Sequence, residues 1–334
     1  MFLDKSKIMT LKEAFESKIG KENVIYAKGC EILEEKEINK ILQADGNKII
    51  HIKNEKEELK NYIKDAIAAA KQVDTIVLAI GEHYRQSGEA CSRANLEISN
   101  IQMRLLKELS KLNKKIVAII FNGRPIVLKD IAKQVDSILE VWLPGTEGAN
   151  AIADVIFGDV NPSGKLTMSF PQATGQCPIY YNHYNTGRPH ETNTRFVSRY
   201  QDIPTESYYP FGYGLSYSKF VYSDLKLSNK ILTKNSEITV TVKIKNDSNK
   251  PGEKIVQLYI QDLVAKVVRP IKELKKFKKV LILPGEVIEV SFKITEDMLK
   301  FWDENLKYDS EKGEFRVYIG TNSEDTLTDT FLLD

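Results

Sequence analysis

Three short, predominantly apolar runs in the first 160 residues limit the possible folds of this chain most strongly. They are residues 75–80 (TIVLAI), 115–121 (KIVAIIF) and 137–142 (SILEVW). Patterns with helical spacing separate them, such as residues 55–71 and 96–112. Strands that are apolar without alternation are buried on both faces, and helices between such strands are typical of parallel sheets. The sequence therefore predicts a doubly wound, mostly parallel α/β sandwich, with Thr146 capping a last helix through about Phe157.

From residue 219 onward, apolar and polar residues alternate strictly instead. The clearest example is the run of Ile238, Val240, Val242 and Ile244, each followed by a polar neighbour. Short alternating segments separated by Pro-Gly and Lys-Gly turn signals are typical of half-buried antiparallel strands. This part of the chain is predicted to be an all-β sandwich of the fibronectin or immunoglobulin type.

A long connection joins the two patterns. Residues 158–218 are rich in Pro, Tyr, Asn and Gly and show no periodicity, which indicates turns and irregular backbone. Its aromatic content favours a segment that packs against a surface. We assign it to the first of two expected domains, residues 1–218, and the β-sandwich to residues 219–334.

Charge, hydropathy and cysteine content exclude several classes of protein. The chain has 48 Lys and Arg against 46 Asp and Glu, a balance that argues against nucleic-acid binding. No apolar run approaches the roughly 20 residues that span a bilayer, and the first twenty residues suggest an amphipathic helix instead of a signal sequence. We therefore expect no membrane association and a cytoplasmic location. The three cysteines and four histidines lack ligand spacing, so no disulfide scaffold, metal site or cofactor is expected.

Three further motifs have ordinary structural explanations. Gly212-Tyr-Gly214 lacks the third glycine and the strand-to-helix context of a nucleotide-binding turn. The basic stretch 269–279 is typical of an edge strand protected by lysines. The glycosylation acceptor at Asn246 is expected to be a chance match in a turn.

The loop after the first apolar run carries the strongest candidate site. Residues 81–93 (GEHYRQSGEACSR) follow that run directly, and ligands of open α/β sheets bind outside the carboxyl ends of the strands. The residues alone leave two interpretations open. Glu82 and Glu89 belong to a functional site, or they pair with Arg85 and Arg93 at the surface.

Long segments of the chain resemble glycoside hydrolase family 3, the β-glucosidase and β-xylosidase family, and in particular its bacterial β-glucosidase branch. The likeness extends through nearly the whole sequence. The segments that carry it are 142–171 (WLPGTEGANAIADVIFGDVNPSGKLTMSFP), 209–217 (YPFGYGLSY), 121–125 (FNGRP), 26–30 (YAKGC), 269–274 (RPIKEL), 283–286 (LPGE) and 318–321 (YIGT).

The resemblance implies an enzyme of three domains: a (β/α)8-type barrel, an α/β sandwich and a fibronectin-like domain. In this family an aspartate on the barrel is the nucleophile, and a glutamate on a loop of the α/β sandwich is the general acid/base of a retaining hydrolysis. Residues 87–93 (SGEACSR) are similar to that loop, so Glu89 is identified as the general acid/base and Glu82 as a structural group. Four neighbours are expected to shape the loop or tune its charge: Ser87, Gly88, Ser92 and Arg93.

The sequence departs from the family in one respect. A barrel needs roughly 250 residues, and this chain begins almost directly at the α/β sandwich, so we expect a C-terminal portion that lacks the nucleophile. Ser223-Asp224 superficially matches the family's short nucleophile signature, but residues 220–227 match the first strand of the fibronectin-like domain, so Asp224 is expected not to be catalytic. The chain alone is expected to be inactive or nearly so. Its location also becomes open, because any export signal of the family precedes the barrel.

The expected partners follow from the missing barrel. We expect a β-linked glucoside or oligosaccharide as substrate, and the preference between glucosides and xylosides is left open. As protein partner we expect either a separate barrel chain or a second copy of this chain, bound through the surface that the barrel covers in the family. The alternative is a non-catalytic carbohydrate-binding or structural module. In such a module, four tyrosines of the connection are candidates for stacking on sugar rings: Tyr180, Tyr181, Tyr184 and Tyr200.

Overall fold

The computed structural model describes residues 8–44, 46–52, 54–188 and 195–334. The first seven residues of the expected N-terminal helix lie outside the described residues. The chain divides into two compact units, and two parts of the 158–218 connection group with the second of them. The units are Met1–Val160 with Pro171–Cys177, and Asn161–Phe170 with Pro178–Asp334.

The first unit is built on a parallel sheet of three strands. The strands are β1 (Thr75–Gly81), β2 (Lys115–Phe121) and β3 (Ser137–Trp142), in that spatial order. The helices are α1 (Leu11–Ile19), α2 (Glu35–Ala44), α3 (Glu55–Ala70), α4 (Asn100–Ser110), α5 (Lys129–Ala132) and α6 (Gly148–Phe157). All three strands match the apolar runs that the sequence marks.

Helices cover both faces of this sheet. Odd-numbered strand residues such as Val77, Ile119 and Leu139 pack against Phe15 of α1 and Ile152 of α6. Successive strand side chains point to opposite faces, so the even-numbered residues lie on the face of the crossover helices. The predicted doubly wound α/β sandwich is confirmed.

The start of α6 differs from the expectation. Gly148 N donates to Gly145 O at 3.2 Å, and the residue before the helix is Glu147, with no side-chain cap. The prediction that Thr146 caps this helix is wrong. The physical reason is the turn after β3, in which Gly145 adopts φ +74° and uses the residues that would otherwise begin the helix.

The second unit is a β-sandwich, which confirms the predicted fold class. Ten strands lie in order along the chain: β4 (Phe220–Leu227), β5 (Ile231–Leu232), β6 (Glu237–Asn246), β7 (Gly252–Asp262), β8 (Glu273–Ile282), β9 (Val287–Thr295), β10 (Phe301–Trp302), β11 (Tyr308–Asp309), β12 (Gly313–Gly320) and β13 (Thr326–Leu333). One sheet has the order β5-β13-β12-β7-β8 and the other β4-β6-β9, while β10 and β11 form a separate hairpin. The inner faces of both sheets share one core that includes Val240, Leu258, Phe292 and Val317.

Two features of the sandwich match the sequence expectations, whereas Asn246 lies at the end of a strand and not in the expected turn. Most of the basic stretch, from Glu273 onward, lies in β8, an edge strand. Asn246 ends β6 with a fully buried side chain, whose Nδ2 donates to Lys250 O and Ile282 O. Asp224 lies in β4 at a bulge, with φ +54°, and forms an exposed ion pair with Lys243 at 2.9 Å.

Candidate active site

The end of β1 fixes the point where the candidate loop begins. Gly81 exchanges two hydrogen bonds with the buried side chain of Gln102, at 2.8 and 2.9 Å. Gly81 has φ +147°, and a Cβ atom there would lie 1.9 Å from Phe121 O. Only glycine allows β1 and β2 to approach this closely. Glu82 then continues the pairing, since its N donates to Phe121 O at 2.8 Å.

Glu82 is the buried ionic centre of this edge of the sheet. Its side chain is 2% exposed. The carboxylate forms ion pairs with Arg93 at 2.6 Å and Arg124 at 3.1 Å, and it accepts a hydrogen bond from Gly123 N at 3.0 Å. Buried charges require such partners. Glu82 is therefore a structural group, in agreement with the role inferred from the sequence.

The two arginines connect this centre to the backbone of the 82–99 loop. Arg124 Nη2 donates to Cys91 O at 2.8 Å and also to Gln86 O. Arg93 Nη2 donates to Glu97 O at 2.8 Å. Since a guanidinium has several donors in a rigid fork, each arginine binds Glu82 and the loop backbone at the same time. The loop is thereby anchored on both sides of residue 89.

Glu89 itself is presented to solvent. The residue is exposed, and in the described part of the chain its carboxylate has no ion pair. Its flanking residues adopt left-handed backbone conformations, Gly88 with φ +120° and Ala90 with φ +56°. The surface-pairing interpretation is therefore wrong for Glu89, whereas Glu82 does pair with Arg93, although in a buried position.

The four neighbours proposed to shape the loop are placed differently from one another. The Ser87 side chain lies against Gly123, where a Cβ atom would be 1.7 Å from Ser87 Oγ. Gly88 and Ser92 are exposed, and Arg93 points inward to Glu82. Their roles toward a substrate stay predictions.

The ends of β2 and β3 add three polar or aromatic groups that the sequence analysis did not select. Asn122 is 1% exposed, and its Nδ2 donates to Arg124 O at 2.8 Å and to Glu140 Oε2 at 3.3 Å. Trp142 N donates to Glu140 Oε1 at 3.1 Å. Burial raises the pKa of Glu140 to about 7, although both hydrogen bonds oppose the rise. Two of the three groups had a usable signal, since Asn122 directly follows the second apolar run and Trp142 ends the third, whereas Glu140 lies inside that run.

Models of two known domain families match this chain, one for each of its two folds. The model of the glycosyl hydrolase family 3 C-terminal domain matches residues 5–217, and that of the fibronectin type III-like domain matches residues 254–323. The periplasmic β-glucosidase of Salmonella typhimurium is 43% identical over 302 residues, which cover 90% of this chain and 39% of that protein. Thermostable β-glucosidase B of Acetivibrio thermocellus is 37% identical over 297 residues, 86% of this chain and 39% of that protein.

Solved structures show the same relation. The β-glucosidase of Listeria innocua in complex with gluconolactone superposes with a TM-score of 0.79 at 42% identity, over 82% of this chain and 38% of that one. The glycoside hydrolase family 3 β-glucosidase of Bifidobacterium adolescentis gives a TM-score of 0.78 at 28% identity, over 100% of this chain and 46% of that one. The chain thus spans about two-fifths of the length of the curated relatives it matches.

Among the described residues, no helix combines the length and the apolar character needed to cross a membrane. The matched domain covers more than half of the chain, in the order and with the folds that both units display. The chain therefore belongs to glycoside hydrolase family 3 and is β-glucosidase-like.

Proposed function

We propose that this chain supplies Glu89 as the general acid/base of a retaining hydrolase that acts on β-linked glucosides or oligosaccharides. The observation that carries the proposal is the contrast between the two glutamates of the loop. Glu82 is buried and neutralised by two arginines, whereas the carboxylate of Glu89 faces solvent without an ion pair among the described residues. A group that exchanges protons with a substrate must be accessible to it.

In this mechanism Glu89 acts twice. In the first step a carboxylate nucleophile attacks the anomeric carbon, while the bond from that carbon to the glycosidic oxygen breaks and Glu89 gives its proton to the departing oxygen. In the second step Glu89, now ionised, removes a proton from water, whose oxygen displaces the nucleophile. Two inversions retain the configuration. The two carboxyl groups must then lie about 5–5.5 Å apart.

The nucleophile is proposed to lie on a barrel outside these 334 residues, either joined to this chain or associated with it. Asp224 is not a candidate, because it is part of β4 in the β-sandwich and pairs with Lys243. We expect the chain by itself to show no meaningful hydrolysis of aryl β-glucosides.

A chimaera tests the role of Glu89. The matching C-terminal portion of the Salmonella β-glucosidase is replaced by this chain, and kcat/KM is measured for an aryl β-glucoside and for cellobiose. In this chimaera Glu89→Gln should lower kcat/KM for cellobiose by about 10²–10⁴-fold, the usual contribution of a general acid. The loss should be much smaller for an aryl glucoside whose phenolate leaves without help. Azide, which needs no deprotonation, should restore turnover of the aryl substrate.

The matched control is Glu97→Gln, which changes another exposed carboxylate of the same loop. It should leave kcat/KM unchanged for both substrates. The proposal is wrong if Glu89→Gln leaves the hydrolysis of cellobiose unchanged, or if both variants reduce it equally. The activity of both variants is compared with that of the chimaera carrying native Glu89, which must itself be active.

The alternative function, a carbohydrate-binding module, is favoured by the exposure of Tyr180 and Tyr184, at 60% and 59%. Tyr181, by contrast, stacks on Phe211 at 4.2 Å between ring centroids and packs edge-on against Tyr259, so it is not free to bind a sugar. Calorimetric titration of the chain with cello-oligosaccharides separates the two functions. Binding that Tyr180→Ala abolishes supports the module, and the absence of heat supports the acid/base proposal.

A further inference from the structure

A lysine occupies a core position of the β-sandwich. Successive side chains of a strand alternate between its two faces, so Lys254 of β7 shares a face with Val256 and Leu258. Those two residues are fully buried in the core of the sandwich, and Lys254 itself is 6% exposed. Lysine is almost never buried to this extent unless a partner neutralises it. The burial of Lys254 is therefore anomalous for its residue type.

A second lysine lies beside the first. The amino groups of Lys165 and Lys254 are in hydrogen-bonding contact with each other, and Lys165 Nζ also donates to Gly214 O. A Cβ atom on Gly214 would lie 2.5 Å from Gly164 O and 3.1 Å from Lys165 Cδ. The aliphatic stem of Lys165 therefore packs closely against the backbone of residue 214, which fixes the position of its amino group.

In the described part of the chain, no carboxylate forms an ion pair with either lysine. Glu253 belongs to the opposite face of β7, where it pairs with Lys279 at 2.5 Å, and Asp325 acts on Lys254 only as a more distant charge. Burial and the neighbouring Lys254 lower the pKa of Lys165 to about 7, and burial also lowers the pKa of Lys254. Two like charges out of water are costly, and an anion beside them would remove that cost.

A buried hydroxyl group lies in the same region. Lys254 Nζ is 5.7 Å from the centre of the Phe220 ring and 5.9 Å from that of the Tyr222 ring. Tyr222 Oη is buried, and it has no hydrogen-bond partner among the residues that the structure describes. The hydroxyl keeps its proton, because burial raises the pKa of Tyr222. Tyr222 thus adds a neutral hydrogen-bond donor to two cationic ones.

We propose that Lys165, Lys254 and Tyr222 bind one small inorganic oxyanion of the phosphate type. An oxyanion has several oxygen atoms that accept hydrogen bonds from different donors, and such bonds are stronger when the donor or acceptor is charged. The bound anion neutralises the two buried ammonium groups and so stabilises the β-sandwich. This inference goes beyond the proposed acid/base role and does not depend on it, since all three residues belong to the second unit.

Calorimetric titration of the chain with sodium phosphate tests the site without any activity measurement. At neutral pH and constant ionic strength we expect a single saturable site for phosphate and no saturable heat with sodium chloride. Because the anion binds the folded state, the melting temperature of the chain should rise with phosphate concentration. Tyr222→Phe removes only the hydroxyl and should weaken phosphate binding roughly fivefold, the usual effect of one lost hydrogen bond.

Two lysine variants separate this site from general attraction of anions. Lys254→Met replaces the cation by an apolar chain, so without phosphate the variant should melt at a higher temperature than the native chain, and phosphate should not raise that temperature further. If this variant fails to fold, Lys165→Met takes its place with the same expectation. Lys279→Met changes an exposed lysine of β8 and should bind phosphate as tightly as the native chain.

Three results would overturn the proposal. The first is the absence of saturable phosphate binding to the native chain. The second is an equal rise of the melting temperature with chloride at the same ionic strength. The third is a reversed order of the variants, in which Lys254→Met still binds phosphate or Lys279→Met loses it.

Discussion

Replacing either glutamate of the 82–99 loop by glutamine should separate structure from chemistry. Glu82→Gln keeps the shape of the side chain but leaves two guanidinium groups without their anion. Removing one partner of a buried ion pair costs about 3–5 kcal/mol. Because Arg93 and Arg124 keep side-chain exposures of 19% and 21%, water can partly solvate them. We therefore expect the free energy of unfolding to fall by about 3 kcal/mol, the lower end of that range.

Glu89→Gln is the matched comparison, since it makes the same chemical change seven residues further along. Its carboxylate is exposed and has no ion pair among the described residues, so the free energy of unfolding should change by less than about 0.5 kcal/mol. The chain has two tryptophans, Trp142 in the first unit and Trp302 in the second. With Trp302 replaced by phenylalanine, urea unfolding followed by the fluorescence of Trp142 reports on the first unit alone. The m-value should stay constant in both variants.

The reasoning is refuted if Glu82→Gln costs less than about 1 kcal/mol, because the buried pairs would then be replaceable by water. It is equally refuted if Glu89→Gln destabilises the first unit as much as Glu82→Gln does. In that case Glu89 would have a structural role, and its assignment as a proton donor would lose its main support.

Three other predictions concern the scaffold. Gly81→Ala should destabilise the first unit by more than about 2 kcal/mol, since its Cβ atom would overlap Phe121 O. The control is Gly158→Ala, at a position with φ +84° and open space around it. In the same unfolding assay this control should cost about 1 kcal/mol. Asn246→Ala should lower the melting temperature of the sandwich, at a cost of about 2 kcal/mol, because the buried carbonyl of Ile282 and the partly buried carbonyl of Lys250 each lose a donor. Mass spectrometry of chain secreted from a eukaryotic host should find Asn246 unmodified. Burial raises the pKa of Asp262 from 3.8 to about 6, so the folded state binds the proton of this carboxyl more tightly than the unfolded state does. The stability that this proton contributes is fully present below pH 3.8 and is lost as the pH rises to 6. Asp262→Asn should flatten that part of the stability profile.

The sequence predicted the strands better than the helix ends. Residues 76–80 and 116–121 are apolar without interruption because helices cover both faces of the sheet, and this burial disfavours polar residues there. The start of α6 was missed because a cap is a local signal, while the actual start depends on the backbone of the preceding turn. Gly148 approaches the ring of Pro144 so closely that a Cβ atom would lie 2.6 Å from it. Spacing rules do not contain that contact.

The candidate site was predictable in its location but not in its connections. The edge of the sheet follows from the order of strands and loops, and Glu89 follows from the resemblance of its loop to the family. The pairing of Glu82 with Arg124 requires the register of β1 against β2, which joins residues 42 positions apart. Glu140 was missed for a similar reason. Its polar character in an apolar strand is explained by a bulge and by Asn122, and neither can be seen in the strand's own sequence.

The separation of duties between Glu82 and Glu89 has a physical reason. A proton donor that also becomes a base cannot be held by a permanent cation, because an ion pair would favour its ionised form. The loop nevertheless needs a fixed position, and the ionic contacts of Arg93 and Arg124 with Glu82 supply it without touching residue 89. If Glu89 is the acid/base, the charge that anchors the loop and the charge that reacts must therefore be different residues.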